Sequence, residues 1–116
     1  MITYENAYGF LVSKIPEAGV DSFFADSPTL AYADFASFVV DQSLEGDLLM
    51  IERAVEVINE LSKSEKDEVI ALVCEFALTL YDKNKMIYHA LKDKLSVDAT
   101  QLFGDTIDLW INGNKL

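Results

Sequence analysis

The sequence predicts an all-α fold, a compact bundle of five to six helices in a single domain over residues 1–116, and three observations support this. Apolar residues recur at the three- and four-residue spacing of amphipathic helices, whereas strand-like alternation is nearly absent. Of the 116 residues 51% are hydrophobic, with only two prolines and five glycines. This is enough apolar surface for one core and too much for a disordered chain. The breaks between helices are short, which favours mostly antiparallel neighbours.

The first part of the chain is predicted to hold one short helix and an irregular segment. The helix covers residues 4–13 with Thr3 as its cap, and residues 15–19 contain the proline and glycine that break it. The stretch that follows is irregular, and Phe23 and Phe24 are expected to plug the core.

Five further helices are predicted from capping signals and apolar rows. Ser27 followed by Pro28 starts the second helix, which ends near Gln42. Ser64 is the expected cap of the fourth helix, and Asp98 that of the sixth. The apolar rows of helices two to six are, in order, Ala31, Phe35, Phe38 and Val39; Leu48, Ile51, Val55, Ile58 and Leu61; Val69, Leu72, Val73, Phe76 and Leu80; Ile87, Tyr88, Leu91 and Leu95; and Leu102, Ile107 and Trp110.

The charge balance restricts the classes of partner. Nine Lys and Arg residues stand against 20 Asp and Glu residues, a net charge of −11. Nucleic acids and anionic membranes both attract cationic proteins, so neither is an expected partner. The balance favours a basic macromolecule, although solubility alone also explains an acidic surface.

The sequence predicts no catalytic, cofactor-binding or metal-binding residues, and therefore no enzyme. A single histidine and a single cysteine cannot form a zinc site, and no glycine-rich phosphate loop or nucleophile elbow is present. Cys74 lies among apolar residues and is expected to be a buried structural residue. The N-terminus lacks the basic start and apolar run of a signal peptide, so we expect a cytoplasmic protein, either a monomer or a small homo-oligomer.

One local string offers an alternative function. Residues 89–93, His-Ala-Leu-Lys-Asp, resemble the H-x-L-K-G core of histidine phosphotransfer domains, in which an exposed histidine receives phosphate and a lysine one turn later steadies it. The resemblance implies a signalling module that uses His89. It departs from the family at Asp93, where a carboxylate would repel the phosphate, and in the short chain that follows.

The acidic residues are concentrated in the first half of the chain. Residues 1–60 contain eleven acids and two bases, whereas residues 61–116 contain nine acids and seven lysines, so the two halves carry −9 and −2. The most ordered acids are Glu52, Glu56 and Glu60, which lie on one face of the third helix, opposite its apolar row. Glu45 and Asp47 are expected to extend this patch. We therefore predict that these five residues bind a cationic protein partner, with a solvated face as the alternative.

Over nearly its full length the chain resembles small helical bacterial proteins encoded beside secreted toxins, the immunity proteins of contact-dependent and polymorphic toxin systems. The matching segments are the opening helix with Ile15-Pro16-Glu17, residues 35–38, residues 51–61, residues 74–78 and residues 95–110. The resemblance implies a protein that neutralises a cognate toxin. Many such toxins are nucleases, which are basic where they hold phosphate. A non-enzymatic helical adaptor remains a further alternative.

Overall fold

The computed structural model describes residues 2–113, which form six α-helices, two short 3₁₀ helices and no β-strand. The predicted all-helical bundle is confirmed. Within this range no helix is both long and apolar enough to cross a bilayer. The α-helices are α1 Ala7–Lys14, α2 Pro28–Glu45, α3 Leu48–Leu61, α4 Asp67–Lys83, α5 Lys85–Lys92 and α6 Val97–Gly113, and the 3₁₀ helices are Pro16–Ala18 and Ser22–Asp26.

Helix α4 lies at the centre of the bundle, because it packs most extensively against α2 and α6 and also contacts α3 and α5. The apolar row predicted for it is completely buried. The ring of Phe76 lies 5.2 Å from that of Phe35 in α2 and 6.1 Å from that of Phe103 in α6. Phe103 in turn stacks on Tyr88 of α5 at 5.6 Å. Contacting rings therefore join four helices, each buried ring removing a large apolar area from water.

Two buried tyrosine hydroxyls tie helices together at the edges of this core. Tyr32 of α2 donates a hydrogen bond to the carbonyl of Ala7 in α1 at 2.9 Å, and Tyr88 of α5 donates to that of Phe103 in α6 at 3.1 Å. Burial raises the pKa of Tyr32 well above its usual range. The pKa of Tyr88 rises to about 12, first through burial and then through the charge of Asp108. Both groups stay neutral donors at physiological pH.

The N-terminal predictions need two corrections. Helix α1 begins at Ala7 and not at residue 4. Thr3 caps the turn before it: Thr3 Oγ1 accepts from the amide of Asn6 at 3.2 Å, and Asn6 Oδ1 accepts from the amide of Thr3 at 2.7 Å, the reciprocal bonds of a capping box. Phe23 is exposed, so its predicted core position is wrong, whereas Phe24 is half-buried against the core. The two rings lie on a 3₁₀ helix, where consecutive side chains point about 120° apart, so both cannot face inward.

The predicted helix boundaries also change. Helix α2 continues to Glu45, which shortens the break before α3 to two residues. Ser64 does not cap α4; its hydroxyl accepts from the amide of Lys66 at 3.0 Å in the preceding turn. The cap of α6 is Ser96 and not Asp98, because Ser96 Oγ accepts from the amide of Ala99 at 3.3 Å and Asp98 already lies in the first turn.

Several side chains expected in the core are less buried than predicted, and Ile87, Leu95 and Leu102 are half-buried against it. Cys74 and Phe38 are half-buried, and Trp110 is exposed near the end of α6. Trp110 forms part of an exposed apolar end of this helix with Leu109 and Ile111. Helical spacing places it in line with buried Phe103 and Ile107, but burial decreases along α6 from Phe103 through Ile107 to Trp110.

Candidate protein-binding surface

One face of α3 carries the predicted glutamates together with two exposed leucines. Glu52, Glu56 and Glu60 are exposed at successive turns. Leu48 and Leu49, which are 70% and 69% exposed, precede them and lie within the same arc, because residues three and four apart on a helix are neighbours. The opposite side of the helix is buried in the core. We call these five residues the α3 face.

Leu48 corrects the sequence analysis, which assigned it to the buried row of this helix. The buried row begins at Met50 and Ile51 instead. Asp47 is the N-cap of α3 and accepts a hydrogen bond from the amide of Met50 at 3.1 Å, which fixes the direction of the first turn. This cap leaves Leu48 and Leu49 on the solvent side.

Arg53, the base nearest the glutamates in sequence, lines one pocket with Glu56 and Glu60, but its ion pair is with Glu17. Its guanidinium donates to both carboxylate oxygens of Glu17, at 2.5 and 3.0 Å, and to the backbone carbonyl of Lys14 at 2.8 Å. The hydrogen bond from Arg53 lowers the pKa of Glu17 to about 2. Arg53 therefore links α3 to the end of α1 and to the first 3₁₀ helix. Its ion-pair partner is a carboxylate outside the α3 face.

The three glutamates of the α3 face differ in whether they have an ion-pair partner. Glu60 forms an ion pair with Lys63 at 3.1 Å, and this pair closes the C-terminal end of the face. Neither Glu52 nor Glu56 has an ion-pair partner within residues 2–113. The acids of α3 without an ion-pair partner are thus Glu52 and Glu56, in its second and third turns, and Glu52 lies one turn after Leu48.

Glu45 and Asp47 lie at the corner between α2 and α3, and the structure places both at the surface. Glu45 is the last residue of α2. Asp47 has a structural role as the cap of α3 in addition to its charge. The five residues predicted to bind a partner are therefore all exposed and follow one another from the α2–α3 corner along α3.

A narrow apolar groove adjoins this edge, and sequence analysis did not predict it. It has a volume of about 210 Å³ and lies between the α2–α3 corner, the first turns of α3, and α5. Leu48 and Ile51 line one side, and Ile87 and Ala90 line the other. The sequence did contain a signal for it: four consecutive apolar residues at positions 48–51 exceed what one buried helix face requires.

His89 is exposed on α5, a helix of eight residues. Its ring lies 5.0 Å from that of Tyr88 in an edge-on contact. The Nζ of Lys92 lies 6.0 Å from the centre of the Tyr88 ring, and it would lie 3.4 Å from a Cβ placed on Gly104 of α6. The lysine expected to steady a phosphate on His89 is therefore directed towards α6.

In the part of the chain from residue 2 to 113, no cluster of three or more His, Cys, Asp or Glu side chains has an arrangement that could hold a metal ion. Comparison with protein-family models, curated proteins and solved structures finds no match to this chain.

Proposed function

We propose that the chain is a cytoplasmic immunity protein that binds and neutralises a cognate basic, nuclease-like toxin domain through the α3 face and the adjoining α2–α3 corner. The single observation that carries this proposal is the combination of unneutralised glutamates and exposed leucines on one rigid helix. Protein interfaces combine an apolar centre with a polar, charged rim. A face built only for solvation does not need the leucines.

The proposed mechanism is occlusion. A nuclease holds phosphate with lysine and arginine side chains, and an acidic helix presents carboxylates to the same cations. Glu52 and Glu56 are available for such contacts, because no base within residues 2–113 pairs with either. The field of the acidic edge raises the association rate by about 10- to 1,000-fold at low salt, and apolar contacts slow dissociation.

The direct test measures binding to the product of the neighbouring reading frame. We expect a complex whose association rate falls as salt is raised and falls about tenfold or more when Glu52→Lys and Glu56→Lys are combined. The matched control combines Asp105→Lys with Asp108→Lys, which changes the net charge equally on the exposed side of α6. Absence of binding by any neighbouring product, or equal loss in both double variants, contradicts the proposal.

The exposure of His89 favours one alternative function, that of a histidine phosphotransfer module. This alternative predicts an acid-labile phosphate on His89 after incubation with a phosphorylated response regulator or its kinase. The control is His89→Gln, in which the amide of glutamine replaces the polar imidazole but cannot be phosphorylated. Absence of label on the wild-type chain excludes this function, and equal labelling of the variant places the phosphate elsewhere.

A further inference from the structure

We infer that the groove between α3 and α5 is the anchor site of the partner, and that it receives one bulky apolar side chain from a lysine- or arginine-rich amphipathic helix. This inference rests on the proposed function and specifies the chemistry of its partner. Three properties of the surface favour this occupant: the size of the groove, the apolar side chains near it and the charges near it.

The groove fits a side chain better than a small-molecule ligand. Its volume of about 210 Å³ is below the roughly 300–1,000 Å³ typical of sites for drug-sized molecules. Buried Ile51 and Leu91 form part of its lining, so its inner surface belongs to the rigid core. A pocket that is formed before binding gains affinity because little must be ordered when the partner docks.

Exposed apolar side chains line the groove or lie close in sequence to the residues that line it. Leu48 lines it directly, and Leu49 follows on the α3 face. Leu44 lies in sequence between the groove residues Ser43 and Gly46, and it is also exposed. On the other side Met86, which is 83% exposed, lies one turn before Ala90 on α5. Single exposed apolar residues are ordinary, but several around one groove are typical of an interaction site.

The surrounding charges identify the occupant. Two charged side chains line the groove, Asp47 and Lys94. The exposed acids Glu45 and Glu52 are next to lining residues in sequence, so acids outnumber bases three to one among these four side chains. A symmetric dimer formed through this surface would bring together two copies of the same patch, each with an excess of acids. A second copy of the chain is therefore disfavoured, whereas a helix with lysine or arginine next to its apolar residues is favoured. An amphipathic helix in a groove between helices is a recurring recognition mode.

The test uses the full chain, labelled with ¹⁵N, and a synthetic probe. The probe is a leucine–lysine peptide of about 18 residues, long enough to form a helix, with one phenylalanine in its apolar face. A second peptide carries glutamate in place of every lysine. We expect the cationic peptide to shift the amide signals of Leu48, Ile87, Ala90 and Lys94, the groove residues of α3, α5 and the turn after it, and the anionic peptide to leave them unchanged.

Two matched variants test whether the groove is the anchor. Leu48→Ser is expected to weaken binding of the cationic peptide by about tenfold or more, as for an interface hot spot. Leu109→Ser removes an equally exposed leucine (74% against 70%) from α6 and is expected to change affinity by less than about twofold. Unfolding curves of both variants verify that they are folded.

Three results would overturn the inference: amide shifts spread over the whole acidic surface, equal loss of affinity in the two leucine variants, or a dimer in sedimentation of the chain alone that Leu48→Ser dissociates. Because the probe is a synthetic peptide, these results are independent of whether a neighbouring toxin is found. Groove binding without a toxin complex contradicts only the immunity function. A toxin complex insensitive to Leu48→Ser contradicts only the anchor site.

Discussion

The turn between α2 and α3 positions both the acidic corner and the groove, and its central residue gives a sharp prediction. Gly46 ends α2 with φ 78° and ψ 23°, in the left-handed region. The amide of Gly46 donates to the carbonyl of Ser43 at 3.1 Å, and that of Asp47 donates to the carbonyl of Gln42 at 3.0 Å. This is the hydrogen-bond pattern of a Schellman motif, which favours glycine at this position.

We expect Gly46→Ala to lower the free energy of unfolding by about 1 kcal/mol. A Cβ in the left-handed region costs roughly 1–2 kcal/mol, whereas the smaller entropy of the unfolded alanine chain returns about 0.4–1 kcal/mol. Space is not the reason for the loss, because no atom lies within 4 Å of the added Cβ. The backbone angle alone determines the sign.

Gly9→Ala is the matched control, because Gly9 lies within α1 and its added Cβ also meets no atom within 4 Å. There the expected change is a stabilisation of roughly 0.5–1 kcal/mol, since alanine is the better helix former. Urea unfolding followed by circular dichroism measures both changes, with an unchanged slope as the criterion of two-state behaviour. A stabilising Gly46→Ala, or the same sign for both variants, refutes the reasoning.

Three further predictions concern Asp47, Tyr88 and Glu17. Asp47→Ala removes the cap of α3 and is expected to lower the free energy of unfolding, measured in urea, by about 1 kcal/mol. Asp47→Asn keeps an acceptor for the amide of Met50 and is expected to change it by only a few tenths of a kcal/mol. Equal losses in the two variants would contradict the capping role. The pKa of Tyr88 is raised from 10.0 to about 12 in the folded chain. The resulting stabilisation is complete below about pH 10 and is lost as the pH rises through 12, so the urea midpoint is expected to fall above pH 10. The urea midpoint of Tyr88→Phe should fall less steeply in this range, and an equally steep fall would count against the assignment. Glu17 has the opposite pH dependence, because its pKa is lowered from 4.5 to about 2. Its contribution to the stability of the fold is present above pH 4.5 and is lost as the pH falls through 2. When the stabilities of the wild type and of Glu17→Gln are measured in parallel as the pH is lowered, the variant is expected to lack this part of the acid sensitivity.

The buried side of each helix could be predicted from the sequence, because burial follows helical spacing. The rows of α3 and α4 are examples, apart from Leu48 at the start of α3. The first residue of α1 and the exposure of Phe23 could not be predicted in the same way. They depend on side-chain hydrogen bonds over two or three residues, such as that between Asp21 and the amide of Phe23 at 2.8 Å, and several such local arrangements compete at similar energy.

The candidate site was only partly predictable for a related reason. The spacing of Glu52, Glu56 and Glu60 requires only that α3 is a helix. The pairing of Arg53 with Glu17, across 36 residues of sequence, depends on how α1 and α3 pack, and it engages the base that lies next to Glu52 in sequence. The groove is likewise a tertiary feature, since Leu48 and Ile87 line it from two different helices.

The α3 face is unfavourable for the free protein in two respects, and this is the strongest reason to look for a partner. Glu52 and Glu56 stand four residues apart, where like charges cost an isolated helix a few tenths of a kcal/mol, and no base within residues 2–113 pairs with either. Acids placed for solubility could lie anywhere on the surface, without this repulsion and without exposed Leu48 and Leu49 beside them. Exposed leucines reduce solubility, so the two features oppose each other if solvation is the purpose. They reinforce each other if a cationic, partly apolar surface docks on this face.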